Sequence, residues 1–136
     1  MLAGIAWDMA VRRRPLPPPA CLVFGGETTV GVKGPGRGGR NQEMALAAAL
    51  ALRGVPDLAV LCLGTDGTDG PTDAAGGLID GGTVERGRRL GMDARKHLAD
   101  NDSYPFLAST GDLVVTGPTR TNVNDLIILF ALEGLP

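Results

Sequence analysis

Two continuous apolar runs, Leu58-Ala-Val-Leu-Cys-Leu63 and Leu126-Ile-Ile-Leu-Phe-Ala-Leu132, set the framework of the chain. Each has strand length and is bounded by turn-forming residues, the pattern of a buried strand. Cys21–Phe24, the β-branched stretch Glu27–Lys33 (ETTVGVK) and Asp112–Thr116 (DLVVT) predict three more strands, with Gly25-Gly26 as a turn between the first two. Gln42–Arg53, rich in Ala and Leu, predicts a strong helix with Asn41 as N-cap and Gly54-Val-Pro56 as its stop. Thr83–Leu90, capped by Thr83, Asp93–Ala99 and Ser103–Ala108 predict shorter helices. Met1 to about Arg13 predicts another, with Leu2, Ile5 and Met9 on its apolar side, and Pro15-Leu-Pro-Pro-Pro-Ala20 reads as a stiff extended linker. Ala74–Asp80 fits neither period. Strands and helices alternate, so the expected fold class is α/β, a mixed β-sheet with flanking helices. Residues 1–19 are expected to be a helix and Pro-rich linker left from a connection to something preceding, and 20–136 the domain proper.

Three polar loops interrupt this pattern: Gly34–Glu43 (GPGRGGRNQE), Gly64–Gly76 (GTDGTDGPTDAAG) and Thr116–Asp125 (TGPTRTNVND). Each follows or joins an apolar strand, where α/β proteins place their ligands. The first carries Arg37 and Arg40 and opens a helix whose N–H groups favour an anion; an arginine there suits carboxylate or phosphate. It is neither a P-loop nor a complete dinucleotide fingerprint. The second offers Asp66, Asp69 and Asp73 for a hard cation or a general base, although Asp73 also reads as a cap for a helix at Ala74. The third supplies hydroxyl and amide groups that either hold a phosphate or polyol or cross-link their own turns.

Composition narrows the chemistry. The formal charge of −2 argues against a nucleic-acid partner, so Arg12–Arg14 and Arg86, Arg88 and Arg89 read as solvated helix faces. No apolar run is long enough to span a bilayer, and no signal peptide is readable; a cytoplasmic protein without a membrane partner is expected. Two cysteines and one histidine cannot build a structural zinc site; Cys21 and Cys62 read as core, and His97 as surface. Without a readable Ser-His or Cys-His pair, the remaining parts are those of phosphoryl transfer: arginine, aspartate and a glycine-rich loop.

The segments GGETTV (Gly25–Val30), GGRNQE (Gly38–Glu43), TDGTDGPTDAAG (Thr65–Gly76), NDSY (Asn101–Tyr104) and TGPTRTNVND (Thr116–Asp125) follow one another in this order. Together they closely resemble the C-terminal domain of MOFRL-type glycerate kinases, a family also labelled hydroxypyruvate reductase. The similarity runs from about Pro18 to Leu132. It implies a single MOFRL-like domain joined, in the whole enzyme, to a larger Rossmann-like N-terminal domain, with the active site in the cleft between them. It implies transfer of the ATP γ-phosphate to D-glycerate, giving 2-phosphoglycerate, with Mg²⁺. By motif match Arg40 is the catalytic arginine. Asp66 and Asp69 face the cleft as catalytic residues and metal ligands. Asn41, Thr65, Thr119, Thr121, Asn122 and Asp125 bind substrate or phosphate. The family's catalytic lysine lies in the N-terminal domain and has no counterpart here. One departure stands out: the third motif usually reads TGPTGTNV, and Arg120 replaces its glycine. A positive φ at that position strains or reshapes the loop.

Two rival readings remain. The chain alone is a non-catalytic binding module or half-enzyme, inactive without a separate N-terminal domain. Less favoured is an NAD(P)H-dependent hydroxypyruvate reductase, for which the dinucleotide fingerprint is incomplete.

Overall fold

Leu58–Gly64 forms β2, near the middle of a five-stranded sheet. The computed structural model describes residues 1–134. Around β2 lie β1 (Ala20–Gly26), β3 (Gly76–Asp80), β4 (Leu113–Val114) and β5 (Asp125–Ala131), in the order β1-β5-β2-β3-β4. The helices are α1 (Leu2–Trp7), which widens into a π-helical stretch (Asp8–Arg12), α2 (Arg40–Ala51), α3 (Thr83–Arg89), α4 (Ala94–Ala99) and α5 (Ser103–Thr110).

Every strand pairing among the described residues is antiparallel, where the alternation of elements predicts a mixed sheet. The cause is topological. β1 and β2 run in the same direction and are joined through α2, as in a parallel βαβ unit, but β5 inserts between them and pairs with both. This up-down alternation has a functional consequence. The ends of β1, β2 and β4 and the starts of β3 and β5 all lie at one edge of the sheet, so all three polar loops emerge there.

Burial alternates along β2 and β5. Val60, Cys62, Ile79, Ile127 and Leu129 turn toward the helices and pack with Leu46, Phe106 and Leu107. α1 belongs to the same core through Ala6 and Met9, so residues 1–12 pack on the domain they precede. The opposite sheet face, with Leu61 and Ile128, carries none of the described helices; Cys21, expected in the core, lies on this face and is exposed, while Cys62 is buried.

Other expectations change for similar reasons. β1 runs straight through Gly25-Gly26, because those residues pair with Leu126 and Asp125. Glu27–Lys33 then leaves the sheet; the Lys33 and Gly34 N–H groups donate to Asn101 Oδ1 (2.6 and 2.8 Å) instead of to a neighbouring strand. Within Ala74–Asp80, Gly76–Asp80 forms the strand β3. Arg86 is more than a solvated face: it bonds Asp80 (2.9 Å), Asp112 and Thr83, tying α3 to β3 and to the start of β4. His97 is half-buried, with Nδ1 3.0 Å from the Asp102 carbonyl and its ring against Phe106. No described helix is long and apolar enough to cross a membrane.

The two cysteines now differ in reactivity. Burial, reinforced by the charges of Asp69 and Asp125, pushes the Cys62 thiol up to about 12. A disulfide reagent at about pH 8 is expected to titrate Cys21 alone in the folded protein and both thiols after denaturation. Rapid native reaction of both overturns the burial of Cys62.

Candidate functional site

The N-terminus of α2 is where the loops meet. Its first residue is Arg40 and its N-cap is Gly39, which has no side chain to close the first turn; Asn41, expected as the cap, already lies inside the helix. The capping acceptor comes from another loop. Asp69 Oδ1 accepts from Asn41 N (3.0 Å) and Asn41 Nδ2 (3.2 Å), and Asp69 Oδ2 from Gln42 N (2.9 Å) and Gln42 Nε2 (3.0 Å). Asp69 is only 2% exposed. The anion expected at this helix end is therefore the protein's own carboxylate. Gln42 also bonds Thr72 Oγ1 (3.0 Å), which fixes the far side of the acidic loop.

Glycine lets the loops approach this closely. At Gly70 (φ +61°) a side chain would meet the Gly38 carbonyl, and at Gly67 (φ +88°) the Gly117 carbonyl. Loop one thus packs on loop two, and loop two on loop three. Hydrogen bonds complete the junction. The Thr65 hydroxyl donates to the Asn124 carbonyl (2.7 Å) and accepts from Val123 N (2.8 Å). The Thr119 hydroxyl donates to the Thr65 carbonyl, and Thr119 N to the Asp66 carbonyl (3.2 Å).

Arg40 projects from α2 onto Asp125, the first residue of β5. Nε reaches Oδ2 at 2.7 Å and Nη2 reaches Oδ1 at 2.9 Å, a two-pronged pair. Asp125 is fully buried, whereas the Arg40 side chain is 36% exposed, with Nη1 3.5 Å from Glu27 Oε1. Burial pushes the Asp125 carboxyl up, but hydrogen bonds from Arg40 and Asn41 outweigh it and hold the group below its ordinary range. The Asp125 hydrogen bond raises Arg40 in turn, so the cation is permanent.

The candidate residues divide into two sets. Asn41, Asp69, Thr65, Thr119 and Asp125, expected to touch ligand or metal, direct polar groups to internal partners. Arg40, Asp66, Thr121 and Asn122 lie at the loop edge with groups open to a ligand, although Asn122 Oδ1 also accepts from Asn124 N (3.0 Å). Among the described residues Asp66 accepts only from Thr68 N (3.0 Å). A divalent ion needs several oxygens. Both Asp69 oxygens face α2, and among the described residues no three His, Cys, Asp or Glu side chains gather to hold a metal. Asp66 and Asp69 do not fit the expected magnesium site.

Arg120 lies in the left-handed region that favours glycine, with φ at 62°. The loop retains its Thr119 and Thr65 bonds, so the surrounding contacts absorb a strain of about 1 kcal/mol. Beyond the expected residues, Tyr104 and Asp73 join the first loop. The Arg37 guanidinium lies 4.0 Å over the Tyr104 ring, and the Tyr104 hydroxyl donates to Asp73 Oδ1 (2.7 Å). That bond lowers the Asp73 carboxyl and raises the Tyr104 phenol. Asp73 caps no helix, because β3 follows it. Asn101 in the left-handed conformation and Asp102, which accepts from Arg37 N (2.9 Å), hold the same loop from below. NDSY carried this signal as a motif; nothing in its spacing showed what it would hold.

The MOFRL family matches residues 20–125. A D-glycerate 2-kinase of Thermotoga maritima is 55% identical over 127 residues, covering 93% of this chain and 30% of its own length. A glycerate 2-kinase of Pyrococcus horikoshii is 50% identical, covering 93% of this chain and 29% of that protein. The crystal structure of glycerate kinase from Thermotoga maritima superposes with a TM-score of 0.94 at 53% identity, over 96% of this chain and 32% of that one. The chain thus spans about a third of the relatives it matches.

Two variants probe the junction. Asp69→Ala removes the acceptor of buried N–H groups and is expected to lower stability by about 3 kcal/mol in urea unfolding, with loss of exchange protection at Asn41 and Gln42. An unchanged midpoint overturns the capping role. Asp125→Asn is expected to cost about 2 kcal/mol near neutrality, discounted for the exposure of Arg40. Because Asp125 titrates lower in the folded protein, the pair's contribution is complete above about pH 4 and is lost as pH falls below it. The gap between the two proteins should close on acidification; a gap independent of pH contradicts the assignment.

Proposed function

Because the chain belongs to the MOFRL family, we propose that it is the part of a glycerate 2-kinase that supplies the phosphoryl-stabilising arginine, and that it works with a larger Rossmann-like N-terminal domain. The observation that carries this reading is the Arg40–Asp125 pair. A buried carboxylate holds one side of the guanidinium and leaves Nη1, 3.5 Å from the exposed Glu27 carboxylate, at the loop edge. A fixed, partly open cation is what a transferring phosphoryl group requires.

In this mechanism the glycerate 2-hydroxyl attacks the γ-phosphorus of ATP. A new O–P bond forms, the bridging bond to the β-phosphate breaks, and ADP leaves. Arg40 offsets the negative charge on the transferring oxygens. Asp66, the acidic-loop carboxylate with an open oxygen, orients the hydroxyl and takes its proton. Thr121 and Asn122 offer a hydroxyl and an amide to the glycerate or phosphate oxygens. Magnesium accompanies ATP in phosphoryl transfer generally, but the acidic loop of this chain does not fit its site. The setting is a cytoplasmic one, with glycerate as the small-molecule partner.

A second reading concerns the chain by itself. The matched segment covers only 30% of the Thermotoga relative, which favours a half-enzyme without turnover of its own. Assay of the chain alone with ATP, magnesium and glycerate decides it, since appreciable turnover sinks that reading.

In a full-length family member, alanine at the arginine matched to Arg40 is expected to lower kcat on the order of 10³-fold. Lysine there should recover little, because it cannot pair in two-pronged fashion with Asp125. Near-normal turnover of the alanine variant removes Arg40 from the mechanism.

A further inference from the structure

The sheet has two apolar faces and helices on one. Val23, Leu61, Leu63, Leu78, Ile128 and Phe130 turn away from the helix layer, and none belongs to the helix-side core. Register sets Val23, Ile128, Leu61 and Leu78 side by side across four strands. Val23 is 61% exposed and Leu78 43%. Asp80, the one charged residue in these rows, sits at a corner and is bonded to Arg86. A sheet face of this composition is normally covered by a second layer, and a contiguous exposed apolar patch marks a contact surface.

We propose that this face is the docking surface for the larger remaining part of a full-length family polypeptide, seated as an apolar layer that completes an α/β/α sandwich. Chain length argues for this occupant. The segment matches its Thermotoga relative over 93% of itself, yet covers only 30% of that relative, so most of the longer protein lies outside the matched segment. An apolar surface almost without charge fits a permanent contact better than a transient one. Position argues the same way. The uppermost row of the face, Gly25, Leu126 and Leu63, directly precedes the loop edge that carries Asp125 and Arg40. A layer seated there borders the proposed phosphoryl site. This inference rests on the half-enzyme reading.

Cys21 lies on the same face and reports its coverage. A chimera is made in which this chain replaces the matched segment of the Thermotoga enzyme. Cys21 is expected to react with a maleimide in the isolated chain and to be protected at least tenfold in the chimera. Val23→Glu should restore its reactivity in the chimera while leaving the melting of the isolated chain unchanged. Should the chimera not fold, a cysteine placed in the Thermotoga enzyme at the position matched to Leu78 gives the same readout on a natural fold, and protection is again expected. Equal reactivity in the isolated and full-length contexts overturns the proposal. So does a homodimer of the isolated chain, seen by light scattering, that already protects Cys21. A chimera that protects Cys21 but does not phosphorylate glycerate removes the kinase reading and leaves the docking surface standing.

Discussion

Asp69 is a carboxylate held almost without solvent against the first turn of α2, and the arrangement of the site depends on how its charge is satisfied. A buried carboxylate is tolerable only when donors surround it. Here Asn41 and Gln42 provide them, each with its backbone N–H and its side-chain amide. The bond works in both directions. Asp69 gains its donors only if α2 begins at Arg40, and α2 keeps its first turn only if the acidic loop folds back on it. Arg40 is the residue next to the bonded pair, so the cation at the loop edge is placed by a carboxylate it does not touch.

A second carboxylate completes the placement. Asp125 grips Arg40 from the start of β5, and the same residue pairs in register with Gly26 and Gly64. One side chain therefore joins β5, the strand between β1 and β2, to the helix on which the arginine rides. The glycines of the acidic loop permit the remaining contacts, since a side chain at Gly67 or Gly70 would run into a neighbouring carbonyl. Of three acidic-loop aspartates, one caps a helix, one answers a tyrosine, and Asp66 keeps an open oxygen. Among the described residues this division leaves the acidic loop without two open carboxylates side by side.

The elements with a strong local cause were legible in the chain. β2 and β5 follow from continuous apolar runs, α2 from its alanines and leucines, and the loops from their glycines and threonines. Glu27–Lys33 was not, because β-branched residues favour a strand only where an edge is free to receive them, and β1 instead extends through its glycines. Cys21 was misplaced for a related reason. A short apolar run does not state which of its residues face a helix layer, and β1 has helices on one side only. The roles of Thr65, Thr119 and Asp125 could not be separated from that of Arg40 by inspection. A hydroxyl that binds ligand and one that ties two loops together have the same identity and similar spacing.

What the sequence by itself determined is most of the inventory: the strands and helices with a strong period, the loops that carry polar groups, and the motifs that mark the family. These depend on periodicity and residue type, properties local to the chain. Only the tertiary structure decided that β5 enters between β1 and β2, that three loops share one edge, and that Asp69 and Asp125 turn inward while Arg40 and Asp66 remain accessible. Those outcomes join residues far apart along the chain, such as Arg40 and Asp125, and they are set by competition for buried hydrogen bonds, which no local pattern encodes.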